Sequence, residues 1–233
     1  MTRNNPIFCA LDTTDIDHAV SLARGLKGSV GGAKIGMEFF NAHGPAGYRA
    51  VAAAGLPIFL DLKLHDIPNT VAGGIRAVLP LNPSIVNVHA AGGSAMMRAA
   101  AEAAREAGDS RPLIIGVTLL TSLDRSDLAA TGVGGSTSEH VRRLAALAAA
   151  AGLDGVVCSA HEIEVLRRDL GPGFKLIVPG IRPAGSVVGD QKRVMTPTEA
   201  LSLGADVLVI GRPITGAGDP RAAAEEIARS LAA

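Results

Sequence analysis

The chain has 233 residues, with 22 Lys plus Arg against 22 Asp plus Glu, 48% hydrophobic residues, 3% aromatic residues and no Trp. That length suits one α/β barrel domain covering 1–233. A balanced charge gives no global field to attract nucleic acid or an anionic membrane, and so few rings leave few platforms for stacking bases, so both partner classes are set aside.

Residues 1–6 lead into an apolar stretch that Asp12 ends, too short for the hydrophobic region of a signal peptide. No later apolar run approaches the ~20 residues that span a bilayer. Cys9 and Cys158 each lie in a run that reads as a buried strand, and free thiols are expected rather than a disulfide or metal pair. Together these features point to a soluble, cytoplasmic protein.

Short apolar runs alternate with Ala-rich helical stretches throughout, the rhythm of repeated βα units around a parallel sheet. The predicted strands are 7–11, 32–36, 57–62, 85–89, 113–118, 155–158, 175–178 and 207–210. Helical periodicity marks 17–26, 95–107, 138–151, 163–170, 198–203 and 221–231. Eight strands favour a closed (β/α)8 TIM barrel over an open doubly wound sheet, which would need a Gly-x-Gly-x-x-Gly after its first strand. No repeat or linker divides the chain, and Gly-rich segments at 92–93, 132–135 and 180–189 fall where active-site loops are expected.

Barrel enzymes carry their chemistry at the C-terminal strand ends. Polar residues break the apolar runs there at Asp12, Lys34, Asp61 with Lys63, His89, Thr121, Arg182 and Arg212. Asp61-Leu62-Lys63-Leu64-His65-Asp66 is the densest group, and period-two alternation puts Asp61 and Lys63 on one face. A cation between carboxylates suits a proton donor, beside groups that repel a further anion by about 4 kcal/mol per charge at 4 Å and an effective dielectric near 20. Pro68 favours an extended Ile67, and Asn69 or Thr70 is expected to cap a helix starting near Val71. Asp61 and Asp66 also have metal-ligand chemistry, but Lys63 between them supplies the positive charge a metal would bring. His43, His65, His89 and His161 show no metal-ligand spacing and are read as capping or core residues.

Loops after the seventh and eighth strands commonly hold phosphate in barrels. Val178-Pro179-Gly180-Ile181-Arg182-Pro183 runs into a Gly-rich, polar-ended segment, 184–193, that reads as a lid. Gly211-Arg212-Pro213-Ile214-Thr215 offers backbone N–H groups and a planar guanidinium to a dianion, so the expected ligand is a phosphate ester.

Taken together, these motifs resemble the orotidine 5'-phosphate decarboxylase family along the whole chain. The resemblance is carried by Ala10-Leu11-Asp12, Ala33-Lys34-Ile35-Gly36, Asp61 through Thr70, Leu120-Thr121-Ser122, Pro179 through Pro183, Gly189-Asp190-Gln191-Lys192-Arg193-Val194 and Gly211 through Thr215. Val178 is a departure, since relatives often carry Thr there, and it leaves the polar positions intact.

The resemblance implies a cofactor-free enzyme of UMP biosynthesis that removes the C6 carboxylate of orotidine 5'-phosphate. Lys63 would be the proton donor, with Asp61 near the departing carboxylate. Asp12 and Lys34 would contact the ribose, Thr121 the pyrimidine region, and Arg182, Gln191, Gly211 and Arg212 the phosphate. It further implies a homodimer in which Asp66 and Thr70 reach into the partner's site. Two alternatives remain on sequence. One is a magnesium-dependent sugar-phosphate decarboxylase or synthase of the same barrel group, which shares the third-strand charges but not the Pro179–Gln191 segment in this form. The other is a catalytically silent nucleotide-binding barrel.

Overall fold

Each apolar run becomes a strand of a parallel sheet that closes on itself. The computed structural model describes residues 5–183 and 195–231. The strands are β1 (Ile7–Ala10), β2 (Gly32–Gly36), β3 (Ile58–Leu64), β4 (Ile85–His89), β5 (Leu113–Val117), β6 (Gly155–Val157), β7 (Lys175–Pro179) and β8 (Val207–Ile210). They pair in chain order, and β1 closes on β8 with Phe8 opposite Val209. This is the expected (β/α)8 TIM barrel, not the open sheet.

Alternation sorts each strand into two cores. Inward-facing Phe8, Phe59, Ile115, Ile177 and Val209 fill the barrel. Outward-facing Leu60, Val86, Ile114, Leu176 and Leu208 join the buried side chains of the helices. Those helices are α1 (Ile16–Gly25), α2 (Met37–Ala52), α3 (Pro68–Val78), α4 (Gly93–Arg105), α5 (Arg125–Ala130), α6 (Thr137–Ala150), α7 (Ile163–Leu170), α8 (Pro197–Ser202), α9 (Arg212–Thr215) and α10 (Pro220–Ser230). Buried Ala100, Ala101, Ala103 and Ala104 let α4 lie close to the sheet at little side-chain entropy cost.

Helix starts follow local capping chemistry. Ser136 accepts from the Glu139 N–H at 3.2 Å while Glu139 accepts from the Ser136 N–H at 2.8 Å, which sets the first turn of α6. The expected cap at Asn69 or Thr70 is not formed. Helix α3 begins at Pro68, with Ile67 at the capping position and no side-chain cap, because proline needs no N–H partner at the first turn and its fixed φ already suits the helix. The Asp61 motif therefore runs almost directly into α3. Helix α2 had no counterpart in the sequence periodicity. Gly44, at φ 55°, and Pro45 break it into two pieces, which erases the single amphipathic stripe that periodicity detects.

The barrel end away from the C-terminal strand tips is tied by carboxylates. Asp154 accepts from the Ile114 N–H at 2.8 Å and from both terminal nitrogens of Arg111. Asp206 accepts from the Leu176 N–H at 2.9 Å, from Arg167 at 2.6 Å and from Lys175 at 2.9 Å. Charged groups at that end thus fix strand backbones and leave chemistry to the other.

Cys9 and Cys158 are both free and buried, and burial pushes the Cys9 thiol up to about 12, so neither is poised as a thiolate. Among the described residues no helix is long and apolar enough to cross a membrane. The Tyr48 hydroxyl is buried with no hydrogen-bond partner among the described residues. Since an unpaired buried donor costs stability, Tyr48→Phe is expected to stabilise the chain by about 1 kcal/mol, or roughly 2–4 °C in Tm. A thermal melt checks it, and a lower Tm would show that the hydroxyl is paired in solution.

Candidate active site

At the C-terminal ends of the strands the barrel opens into a cavity of about 480 Å³, within the range of small-molecule sites. Its base is the inward apolar layer of Phe59, Ile177 and Val209, and one wall is charged. Along that wall Asp12, Lys34, Asp61 and Lys63 form an alternating chain. The Lys34 Nζ lies 3.0 Å from Asp12 Oδ1 and 3.3 Å from Asp61 Oδ2, and the Lys63 Nζ lies 2.7 Å from Asp61 Oδ1. Lys34 and Asp61 side chains are 11% exposed while Asp12 is 56% exposed, so the inner pair is the one that water screens least.

The geometry explains the protonation states. Burial alone would raise the Asp61 pKa, but the charges of Lys34 and Lys63 and hydrogen bonds from Lys63 and Asn87 outweigh it and hold the carboxyl below its usual range. Burial would likewise lower Lys34, and Asp61 and Asp12 overcome it, so Lys34 is raised. Both groups are charged at neutral pH. Gly36 makes room for this packing, since a Cβ there would sit 3.0 Å from the Lys34 Nζ and 3.3 Å from Asp12 Oδ1.

Alternation correctly turns Asp61 and Lys63 toward the cavity, but the backbone between them is not regular. The β3–β4 register shifts between Leu60 and Leu64, so that Asp61, Leu62 and Lys63 face the single residue Asn87 of β4. Lys63 has φ 52°, a left-handed conformation that costs an L-residue about 1–2 kcal/mol. Asn87, fully buried, answers both irregularities. Its Oδ1 accepts from the Lys63 N–H at 2.7 Å, and its Nδ2 donates to Asp61 Oδ1 at 2.6 Å. Strand-end reasoning passed over Asn87. The signal was there, because Ile85, Asn87 and His89 share the inward face of an apolar strand and a polar residue in mid-strand needs partners.

Gly180 and Arg182 after β7, and Gly211 and Arg212 after β8, also line the cavity, as does Thr121. Arg182 is 7% exposed. Burial and then the neighbouring positive charge of Arg212 lower its pKa, so the two guanidiniums lie close enough to feel each other. The site residues named from sequence thus converge on one cavity at Asp12, Lys34, Asp61, Lys63, Thr121, Arg182, Gly211 and Arg212. Asp66 and Thr70 do not line it. Both are exposed at the start of α3, where Asp66 Oδ1 accepts from the Ile67 N–H at 2.6 Å. Gln191 and the segment 184–194 lie outside the described residues.

His65 and His89 form a tilted ring pair with centroids 5.5 Å apart beside the array. Burial, His65 and Lys63 lower the His89 pKa against the opposing pull of Asp61, so the ring is neutral at physiological pH. Among the described residues no three His, Cys, Asp or Glu side chains are grouped to hold a metal ion. The Asp61 oxygens are instead engaged by two ammonium groups and an amide.

Comparison with known proteins gives a consistent result. The model of the Orotidine 5'-phosphate decarboxylase / HUMPS family matches residues 5–227. An orotidine 5'-phosphate decarboxylase from Rhodospirillum rubrum is 59% identical over 99% of this chain and 95% of its own length. One from Erythrobacter litoralis is 53% identical over 98% of this chain and 100% of its own. Among solved structures, the orotidine 5'-phosphate decarboxylase of Lactobacillus acidophilus has a TM-score of 0.88 at 36% identity and covers 98% of this chain and 100% of that one.

Proposed function

Given that the chain belongs to the Orotidine 5'-phosphate decarboxylase / HUMPS family, we infer that it converts orotidine 5'-phosphate to uridine 5'-phosphate and carbon dioxide in pyrimidine biosynthesis, without a cofactor. The observation that carries this reading is the Lys34–Asp61–Lys63 chain sharing one cavity with a pair of arginines. One pole suits a phosphate dianion and the other suits charge rearrangement at carbon.

In this reading Arg182, Arg212, the Gly211 N–H and Gln191 hold the phosphate, Asp12 and Lys34 the ribose, and Thr121 the pyrimidine region. The C6–carboxylate bond breaks with its electron pair left on C6, and carbon dioxide departs. Lys63 delivers a proton from Nζ to C6 and is reprotonated from solvent. A substrate carboxylate set against Asp61 is also set against Lys63, 2.7 Å away, so ground-state repulsion and attraction largely offset. As charge passes from carboxylate to C6, the repulsion fades and the ammonium remains, which is stabilisation specific to the transition state. Lys34 therefore does more than meet the ribose, because its second contact at 3.3 Å fixes Asp61.

The site is further proposed to be completed by a second copy of the chain, with Asp66 and Thr70 serving the partner's cavity in a homodimer. Their place outside their own cavity, beside an Ile67 that is 66% exposed, supports that reading. A cytoplasmic location fits a nucleotide-synthesising enzyme with two reduced, buried cysteines.

The direct test is consumption of orotidine 5'-phosphate with stoichiometric release of uridine 5'-phosphate, measured with and without EDTA. Equal turnover in both is expected. Loss of activity on chelation, restored by magnesium, would favour the sugar-phosphate enzymes of the same group. No turnover at high enzyme concentration would leave a nucleotide-binding barrel.

A further inference from the structure

Resting on the decarboxylase reading above, we propose that Asn87 is the positioning residue of the reaction. Its side-chain amide holds the Lys63 backbone and the Asp61 carboxylate together, so that the Lys63 ammonium points at the reacting carbon.

Asn87 is fully buried in a strand whose preceding inward residue, Ile85, is apolar, and such a site tolerates an amide only when its polar atoms are bonded. Both are. The register shift beside Lys63 takes its N–H out of the regular β3–β4 ladder, and Asn87 Oδ1 stands in for the missing strand carbonyl at 2.7 Å. Nδ2 donates at 2.6 Å to Asp61 Oδ1, the oxygen that also receives the Lys63 ammonium at 2.7 Å. The reverse amide orientation would set a carbonyl oxygen against a carboxylate and an NH2 against an N–H, so the network fixes the assignment. One side chain thereby ties the backbone and, through Asp61, the tip of the same lysine. It does not need to touch the substrate to act.

The discriminating variants are Asn87→Leu and Asn87→Asp, assayed beside wild type for kcat and KM across pH, with uridine 5'-phosphate binding and thermal melts as controls for the fold. Asn87→Leu is expected to lower kcat on the order of 10²-fold and to leave KM within about threefold, since phosphate contacts are untouched and orientation is lost. Asn87→Asp is nearly isosteric and gives a sharper signature. The introduced carboxyl would face Asp61 and Lys63 from β3, Lys34 from β2, Asp12 beyond β1, and His89 with its neighbour His65; β5 presents no titratable side chain to it. Two carboxylates at hydrogen-bond distance do not both ionise readily, so the new group retains its proton to a raised pH. While protonated it donates to Asp61 as the amide does. The variant should therefore approach wild-type kcat at acid pH and fall away as pH rises, an added alkaline limb that wild type lacks.

Ionisation of the new carboxyl also weakens the fold as pH rises, so the limb is read over the pH range in which thermal melts show Asn87→Asp fully folded. A folded Asn87→Leu with kcat within about threefold of wild type, or an Asn87→Asp pH profile parallel to wild type, would overturn the proposal. Failure of wild type itself to consume orotidine 5'-phosphate would overturn the parent reading instead, so the two failures are distinguishable.

Discussion

Lys63→Ala is expected to remove product formation while leaving uridine 5'-phosphate bound nearly as tightly as in wild type. The loss should be at least the 10²–10⁴-fold that a positioned proton donor typically supplies, and greater to the extent that the ammonium also stabilises charge on C6. Product has no carboxylate to set against Asp61, so its affinity reports the fold together with the phosphate, ribose and pyrimidine contacts. Substrate affinity should fall, because Asp61 would keep Lys34 and Asn87 but lose the cation 2.7 Å from its Oδ1, leaving the carboxylate repulsion less opposed. Arg212→Ala gives the contrasting pattern. Charge-assisted hydrogen bonds of about 1.5–3 kcal/mol are lost at the phosphate, so nucleotide affinity drops roughly 10- to 150-fold while uridine itself is indifferent. Single-turnover rates at saturating substrate separate the two, and Lys63→Ala turning over within about tenfold of wild type would remove Lys63 from the protonation step.

The two poles of the cavity account for that division of labour. Asp12, Lys34, Asp61 and Lys63 are two acids and two bases in alternation, neutral as a set, so the charged wall has little net pull on a dianion. In the proposed reading Arg182 and Arg212 meet the phosphate and the array meets the carboxylate, which orients the substrate in the cavity. Binding energy gathered at the phosphate is then available to hold the carboxylate against Asp61, where binding by itself is least favourable.

Much of this arrangement was legible in the sequence, for identifiable reasons. Parallel strands buried on both faces read as plain apolar runs, and β2, β4 and β8 end where those runs end. Strand β3 was drawn only to 62, whereas a register shift carries it through to Leu64. The cavity residues were found because each sits where an apolar run stops. Asn87 does not, and its role depends on a left-handed backbone at Lys63 that no period-two pattern encodes. Asp66 and Thr70 are a different case. They do not line their own cavity, so the grouping of Asp66 with Asp61 and Lys63 read from sequence does not hold within one chain, and their part in the reaction rests on family resemblance.

That last assignment can be tested without seeing an interface. Mixing Lys63→Ala chains with Asp66→Asn chains, each inactive alone, should restore activity if the site is shared across a two-fold dimer. A heterodimer then has one cavity lacking both groups and one with Lys63 from one chain and Asp66 from the other. Random exchange makes about half the dimers mixed, and half of their sites intact, so about a quarter of wild-type activity should return. If Asp66 instead served its own chain, every cavity in the mixture would lack one group and nothing would return. Subunit exchange has to be shown independently, for instance by energy transfer between differently labelled chains. Exchange without recovery would move Asp66 out of the partner's site, and the exposed Asp66–Ile67 turn would then be only the lead-in to α3.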